Sequence, residues 1–290
     1  MEKTMTINTT PVKTWYWLGL NDVKIKWAEG ETVEKNISSG KAEIKSEKDY
    51  THEKLNITGN EDAVIFLNVY ADKNLWIDTE ISGDKNVKII ATYFTRQNGL
   101  IYNRIYGDTG DNKNFEYTSI ILGKGKTYID LAWNLKGANS GGKINIGYLA
   151  QNVTDINTAV NHYGKNTASD INVSGSVAQG GEKSFKGTID FKTGCKGAVG
   201  NELETVLLIG EDVVNKTLPI ILCSEEDVVG THGGSIGQLD EDTLFYFESR
   251  GITKEQAENI LARRGVDRVL NMIADEETKE YVNNRLREVM

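Results

Sequence analysis

The chain has 290 residues, with 33 Lys and Arg against 42 Asp and Glu and a formal net charge of −9. This acidic balance argues against non-specific binding of nucleic acid and against an anionic membrane surface, because both require a basic face. Two cysteines exclude a disulfide-rich scaffold, and no apolar run reaches the roughly 18 residues that a membrane helix needs. Since the first residues lack the apolar core of a secretory signal, we expect a cytoplasmic protein with reduced thiols.

The first part of the chain, residues 1–50, is a mixed segment. Residues 14–20 are rich in aromatic side chains, and residues 23–27 alternate between apolar and polar with period two. Both patterns predict strands. The polar stretch 29–49 supports no firm assignment.

The second part, residues 51–223, carries one β-type cluster after another. Gly, Asn, Asp and Ser separate the clusters, as expected for turns, and the whole chain has only two prolines, which suits long backbone ladders. A sandwich, a barrel and a parallel β-solenoid all fit. Small and branched residues alternate with polar ones in the later strands, which favours the solenoid, although an antiparallel sandwich stays open because no strict repeat is visible. The predicted strands are 63–70, 87–94, 115–122, 127–133, 143–149, 170–177, 184–191, 204–209 and 218–222.

The third part, residues 224–290, changes to helical signals. Asp240 is a candidate N-cap of a first helix, Thr253 opens the capping box of a second helix that Gly265 is expected to end, and Asp275 is a candidate N-cap of a third. Two interpretations stay open: the helices cover the open end of the β domain, or an amphipathic pair docks on a partner. The predicted apolar stripe of the third helix is Val282, Leu286 and Val289.

Few residues carry chemistry. The sequence has no phosphate-binding loop and no local zinc motif. Cys195, Glu204, Cys223 and His232 lie close together in the sequence, at the transition from strands to helices. Thiolate, carboxylate and imidazole together suit iron, copper or zinc. Each residue also has a structural alternative: a turn cysteine, a solvated glutamate, a buried cysteine, and a histidine bonded to its own loop.

Residues 226–252 resemble the C-terminal motif of the SufB/SufD family. An acidic-valine turn leads to Thr231-His232-Gly233-Gly234, then to a Leu-Phe-Tyr helix and to Arg-Gly-Ile. Upstream, residues 184–189 are similar to the Phe-x-Gly-x-Ile strand of that family. The resemblance implies a right-handed parallel β-helix with a small helical C-terminal region. It also implies a short, single-type scaffold for iron–sulfur cluster assembly that has no active site of its own.

The same resemblance implies partners. The C-terminal helices, within residues 224–290, would dock a SufC-type ABC ATPase, and two copies of the chain would pair through their β-helices, residues 51–223. A transient iron–sulfur cluster would be held at that junction. A cysteine desulfurase or another sulfur donor is a further candidate partner, whereas nucleic acid and membrane are not expected.

Site residues follow from the resemblance one by one. His232 matches the family histidine implicated in cluster assembly. Glu204 stands where the SufB type has its essential cysteine, and a carboxylate is a harder ligand, so a cluster held there should be more labile. Thiols must then come from Cys195 or Cys223, or from the partner proteins. The predicted metal ligands are His232, Glu204 and Cys195, with Cys223 as a further cluster-binding residue, and His162 is interpreted as structural.

Two other functions stay open from the sequence. One is a non-catalytic β-solenoid that partners an ATPase without binding metal. The other is a β-helix enzyme acting on carbohydrate, which would need paired carboxylates on an exposed face and usually an export signal.

Overall fold

Residues 32–238 coil into a parallel β-solenoid of about seven turns, in a computed structural model that describes residues 2–14, 16–46 and 48–290. Successive strands alternate between two eight-stranded sheets. We call them the odd sheet (β3 to β17) and the even sheet (β4 to β18) after their strand numbers. The strands are β1 (Lys3–Ile7), β2 (Val23–Trp27), β3 (Thr32–Ile37), β4 (Gly40–Lys45), β5 (Thr51–Ile57), β6 (Ala63–Ala71), β7 (Asn74–Ile81), β8 (Val87–Thr95), β9 (Leu100–Thr109), β10 (Asn114–Gly123), β11 (Lys126–Leu135), β12 (Gly141–Ala150), β13 (Val153–His162), β14 (Ala168–Val177), β15 (Glu182–Phe191), β16 (Ala198–Leu208), β17 (Val214–Cys223) and β18 (Val228–Gln238).

The inward faces of the two sheets share one continuous hydrophobic core. Successive side chains of a strand point to opposite faces, so every second residue of each strand enters the core and stacks on its counterpart in the next coil. The rings of Phe115 and Trp133, for example, stack inside with centroids 3.6 Å apart. The expected β-solenoid with a small helical C-terminal region is confirmed, and the antiparallel sandwich is wrong.

An asparagine ladder marks one corner of three successive coils. Asn112, Asn139 and Asn166 are each 27 residues apart and have positive φ angles of 58°, 56° and 55°. Asparagine tolerates this left-handed conformation better than most residues. The side-chain amide of Asn139 donates to Asn112 at 3.2 Å, and that of Asn166 donates to Asn139 at 3.4 Å. The coils therefore repeat every 27 residues here, although the sequence shows no strict repeat.

The N-terminal segment crosses the outer face of the odd sheet. β1 and β2 form an antiparallel pair, and Ile7 and Trp27 pack on Tyr102 and Tyr128 of the solenoid. β2 is confirmed as predicted, but the strand predicted over residues 14–20 is wrong: Tyr16–Leu18 is a 3-10 turn, and Trp15 lies outside the described residues.

Hydrogen bonds explain why the aromatic segment turns. The backbone N–H of Thr14 donates to the side-chain oxygen of Asn21 at 2.6 Å, and the Asn21 amide donates back to the Thr14 carbonyl at 3.2 Å. These bonds close a loop between the two residues.

Three helices follow the solenoid: α1 (Glu241–Glu248), α2 (Lys254–Leu270) and α3 (Glu276–Val289). Asp240, Thr253 and Asp275 are their N-caps, as predicted, and the stripe of α3 is buried. α2 and α3 pack on the outer face of the even sheet, against residues such as Ile120 and Leu149. α2 and α3 therefore cover the apolar outer face of the even sheet and not the end of the solenoid.

Gly265 does not end α2, contrary to expectation. The helix continues to Leu270, and a side chain at position 265 would meet the Cα atom of Gly175 at 2.4 Å. The glycine therefore allows the helix to lie directly on the backbone of β14. Among the described residues, no helix combines the length and apolarity needed to cross a bilayer.

The coil extends beyond residues 51–223 at both ends. β3 and β4 precede this range, and β18 follows it, within the part that was expected to be helical. β18 reads as a glycine-rich loop in sequence, yet it is a strand because it pairs in parallel along the whole length of β16.

We expect His162 to make the stability of the fold depend on pH. Its ring nitrogens lie 2.7 Å from Thr167 Oγ1 and 2.8 Å from Ser169 Oγ, and burial lowers the pKa of the imidazole from 6.5 to about 4. The folded state thus favours the neutral ring. Its stabilising contribution is complete above pH 6.5 and is lost as the pH falls toward 4, by up to about 3 kcal/mol.

Urea unfolding of wild type and His162→Gln at pH 7 and pH 4 measures this effect. The free energy of unfolding of wild type minus that of the variant should decrease by about that amount on acidification, since other titrating groups cancel in the difference. A difference that stays constant with pH would contradict this account of His162.

Candidate functional site at the open end of the solenoid

The last coil of the solenoid is open. β17 and β18 pair with β15 and β16 on one side, and none of the described residues forms a sheet pair on the other side. Every residue of β18 after Val228 is exposed. The 11-residue strand also contains no proline, Lys, Arg, Asp or Glu, which are the residues that normally protect a free edge.

One face of β18 points toward the interior of the coil. A side chain at Gly230 would lie 2.9 Å from the ring of Phe191, a core residue of β15. Because side chains alternate along a strand, His232 and Gly234 share this inward face. In the pairing with β16, His232 is opposite Glu202 and Gly234 is opposite Glu204. His232 is thus an exposed imidazole that lies over the interior of the preceding coil.

Glu204 is buried and fully engaged. It is only 1% exposed, and Lys183 Nζ forms an ion pair with its Oε1 atom. Thr217 Oγ1 donates to its Oε2 atom at 2.6 Å. Burial lowers the pKa of Lys183, while the charge of Glu204 opposes that change. Glu204 therefore links β15, β16 and β17 inside the coil instead of lying in solvent.

Glu202 is the residue that the sequence analysis missed. It is 5% exposed, and among the described residues its carboxyl group has no hydrogen-bond or salt-bridge partner. Its Oε2 atom lies over the backbone of Gly187, where a Cβ atom would be only 1.9 Å away. Burial and, secondarily, the charge of Glu204 raise the pKa of Glu202 to about 8. The signal in the sequence is the two-residue spacing, which places Glu202 on the same strand face as Glu204.

The two cysteines differ in access. Cys195 is buried in the turn between β15 and β16 as part of the hydrophobic core, and burial raises the pKa of its thiol. Cys223, the last residue of β17, is exposed, and its thiol donates to the carbonyl of Glu225 at 3.0 Å. Only the Cys223 thiol is therefore open to solvent.

The predicted ligands do not form a finished metal site within one chain. Among residues 2–14, 16–46 and 48–290, no group of three or more His, Cys, Asp or Glu side chains is arranged to hold a metal ion. His232 lies beside the β16 carboxylates, whereas Cys195 and Glu204 are enclosed in the coil. A cluster at this end would thus need donors from elsewhere.

The molecule is a parallel β-solenoid whose last coil is open and carries a histidine, and the comparisons with known proteins show the family to which it belongs. The family model described as the SufBD core domain of the SUF system for iron–sulfur cluster assembly matches residues 75–264, well over half of the chain. The chain belongs to this family. The match covers nearly all of β7, then β8 to β18, α1 and the first part of α2, so the open end is part of the family core.

Several relatives carry related names. The chain is 26% identical to the iron–sulfur cluster assembly protein SufD of Bacillus subtilis over 62% of its own length and 42% of that protein. It is 30% identical to a SufBD family protein of Synechocystis over 66% of its length and 38% of that protein. A chloroplastic member from Arabidopsis thaliana is 28% identical over 58% of this chain and 30% of that protein. The chain thus matches less than half the length of each of these relatives.

We expect a thiol reagent to distinguish the two cysteines. In native protein, iodoacetamide should modify Cys223 readily and Cys195 at least about tenfold more slowly, because a buried thiol with a raised pKa offers little reactive thiolate. Peptide mass spectrometry with time measures both rates. The Cys223→Ser variant is the control, and iodoacetamide should hardly modify it while it is folded. Equal rates at both residues would show that Cys195 is accessible after all.

Proposed function

We propose that the protein is a scaffold on which an iron–sulfur cluster is assembled at the open end of the solenoid, together with a SufC-type ABC ATPase. The observation that carries the proposal is the unprotected edge of β18 with His232 at its centre. Family membership supports the general role in cluster assembly. The cluster is the cargo of the scaffold, to be passed on.

Two copies of the chain would meet at this end. A two-fold axis would place β18 of one copy antiparallel to β18 of the other, so that each edge satisfies the backbone groups of its partner. Among the described residues no group of three or more donors is arranged for a metal ion, and a second copy would complete the ligand set. Imidazole and thiolate are established ligands of iron in such clusters.

The exposed donors are the first candidates for contact with the cluster. His232 and Cys223 are both exposed in the last coil. Glu204 and Cys195, also predicted as ligands, would reach a cluster only after the inner coil opens. Opening of the junction by a partner would supply such access, and this is the role proposed for the ATPase.

α1 is the proposed docking surface for the ATPase. It has no buried residue, and Phe245 and Tyr246 are 72% and 56% exposed on it. An exposed aromatic pair on a short helix is typical of a segment that inserts into a groove of a partner. Within the chain, α1 contacts α2.

A metal-free partner of an ATPase is the second candidate. The absence of a three-donor group among the described residues favours it. The two candidates differ in one measurement, which is the iron and sulfide content of the anaerobically purified complex.

We expect His232→Ala to lose most of the cluster. Wild type reconstituted anaerobically with ferrous iron and sulfide should develop the absorption and Mössbauer signature of a cluster, and the variant should retain less than about a fifth of it, because the most accessible ligand is gone. Iron and acid-labile sulfide per chain provide the numbers.

His52→Gln is the matched control for this experiment. His52 lies on the odd sheet, 2.8 Å from Asp78, and away from the last coil. It should reconstitute like wild type. Equal cluster content in wild type and His232→Ala would overturn the role of His232, and no cluster in either protein would favour the metal-free candidate.

We expect Phe245→Asp combined with Tyr246→Asp to abolish co-purification with a co-expressed SufC-type ATPase. A charged side chain at the centre of an apolar contact leaves an unpaired charge on binding. Tyr163→Asp, at an exposed tyrosine in the turn after β13, is the control and should co-purify normally. Retention of the ATPase by the double variant would place the docking surface elsewhere.

A further inference from the structure

We infer that Glu202, together with His232, is the entry site for ferrous iron at the open end, and that Glu204 is a structural residue. The inference deepens the proposed function and rests on it for the identity of the metal. It assigns a ligand that neither the sequence pattern nor the family match provides.

The first step is the engagement of Glu204. Both of its carboxylate oxygens have partners inside the coil, Lys183 and Thr217. To bind a metal, Glu204 would have to release Lys183, which is itself fully buried. An unpaired charge at that depth is strongly destabilising. Glu204 is therefore held in place by the pair that it forms.

The second step is the availability of Glu202. A residue that is nine-tenths or more buried normally has its polar groups hydrogen-bonded, but the carboxyl group of Glu202 has no partner among the described residues, and its oxygens still reach solvent at the open end. The missing side chain of Gly187 leaves room for this carboxyl group across the coil. Glu202 thus occupies a prepared space in which its bonding capacity is unused.

The third step is the neighbour of Glu202. His232 is its direct partner in the parallel pairing of β16 with β18, and both side chains belong to the inward face. Strands in a sheet lie about 4.8 Å apart, which brings two such side chains within reach of one ion. A carboxylate and an imidazole together suit ferrous iron. Two protein ligands leave coordination positions free for sulfide and for donors of a second copy, as an assembly site requires.

Metal binding by the full chain under anaerobic conditions tests the inference without requiring cluster formation. Equilibrium dialysis measures Fe²⁺ binding, and the d–d absorption of Co²⁺ reports on the ligands. Glu202→Gln preserves the shape of the side chain and should weaken the binding of both ions by at least about tenfold. Substitution of a residue that only supports a metal ligand already lowers metal affinity by about that factor. His232→Gln should show the same loss.

Two further variants make the result specific. Glu116→Gln, on β10 and paired with Lys88, is the matched control and should bind like wild type. Lys183→Met with Glu204→Gln removes the buried pair as a unit, so that no unpaired charge remains, and tests the rival ligand. Thermal unfolding of each variant confirms that it is folded.

The outcomes separate the inference from the proposed function. Loss of binding in the Lys183→Met/Glu204→Gln double variant but not in Glu202→Gln would overturn the inference in favour of Glu204. Wild-type binding by Glu202→Gln would also overturn it, even if clusters form normally. If Co²⁺ binding depends on Glu202 but wild type assembles no cluster, the inference stands and the proposed function fails.

Discussion

In a parallel solenoid, each strand depends on the next coil for part of its backbone hydrogen bonds, and the last coil has no successor. This constraint shapes the molecule from residue 228 onward. β18 pairs with β16 on one side and exposes its other edge, while the helices that follow pack on the side of the even sheet. An edge of eleven residues without Lys, Arg, Asp, Glu or proline exposes a protein to aggregation through strand pairing. The same edge is suited to pairing with a strand of a second chain. This free edge is the feature of the fold on which the proposed self-association rests.

The interior of the coil changes character toward this end. In the middle coils it is filled by rings such as Phe115 and Trp133, whereas near the end it contains Lys183, Glu202 and Glu204. Removing charged groups from water costs several kcal/mol each unless they are paired. Two of the three groups satisfy this requirement by pairing with each other. The third, Glu202, has no partner among the described residues, and its pKa of about 8 keeps it mostly neutral at pH 7. It lies beneath the histidine of the last coil.

The sequence predicts much of the fold, and the failures have physical causes. Strands with a mainly apolar inward face, such as β8 and β15, are recognisable from their composition. β13 was missed because its outward positions are polar: Asp155 and Asn157 bind the crossing N-terminal segment at Asn8 and Thr9. β18 is not recognisable because its glycines are typical of a loop. It is a strand because it forms backbone hydrogen bonds with β16.

The candidate site was predicted in part. The family resemblance pointed to His232, and the structure shows it exposed on the inward face of the last coil. No sequence signal revealed that Glu204 is engaged by Lys183, since the two residues are 21 positions apart and meet only across the coil. The alternation of β16 could have indicated Glu202, because two glutamates at positions i and i+2 share one face. Both glutamates are buried, so burial does not distinguish them. Their different partners do, and these partners are visible only in the structure.

Hydrogen–deuterium exchange of β18 measures the central claim most directly. The free amide groups of residues 228–238 should exchange rapidly in dilute protein and become protected when the concentration is raised or a cluster is reconstituted, because a second copy then covers the edge. β16, which is already paired on both sides, should remain protected throughout. If exchange of β18 is equally fast in dilute, concentrated and cluster-loaded samples, two copies do not meet at this end, and the account is contradicted.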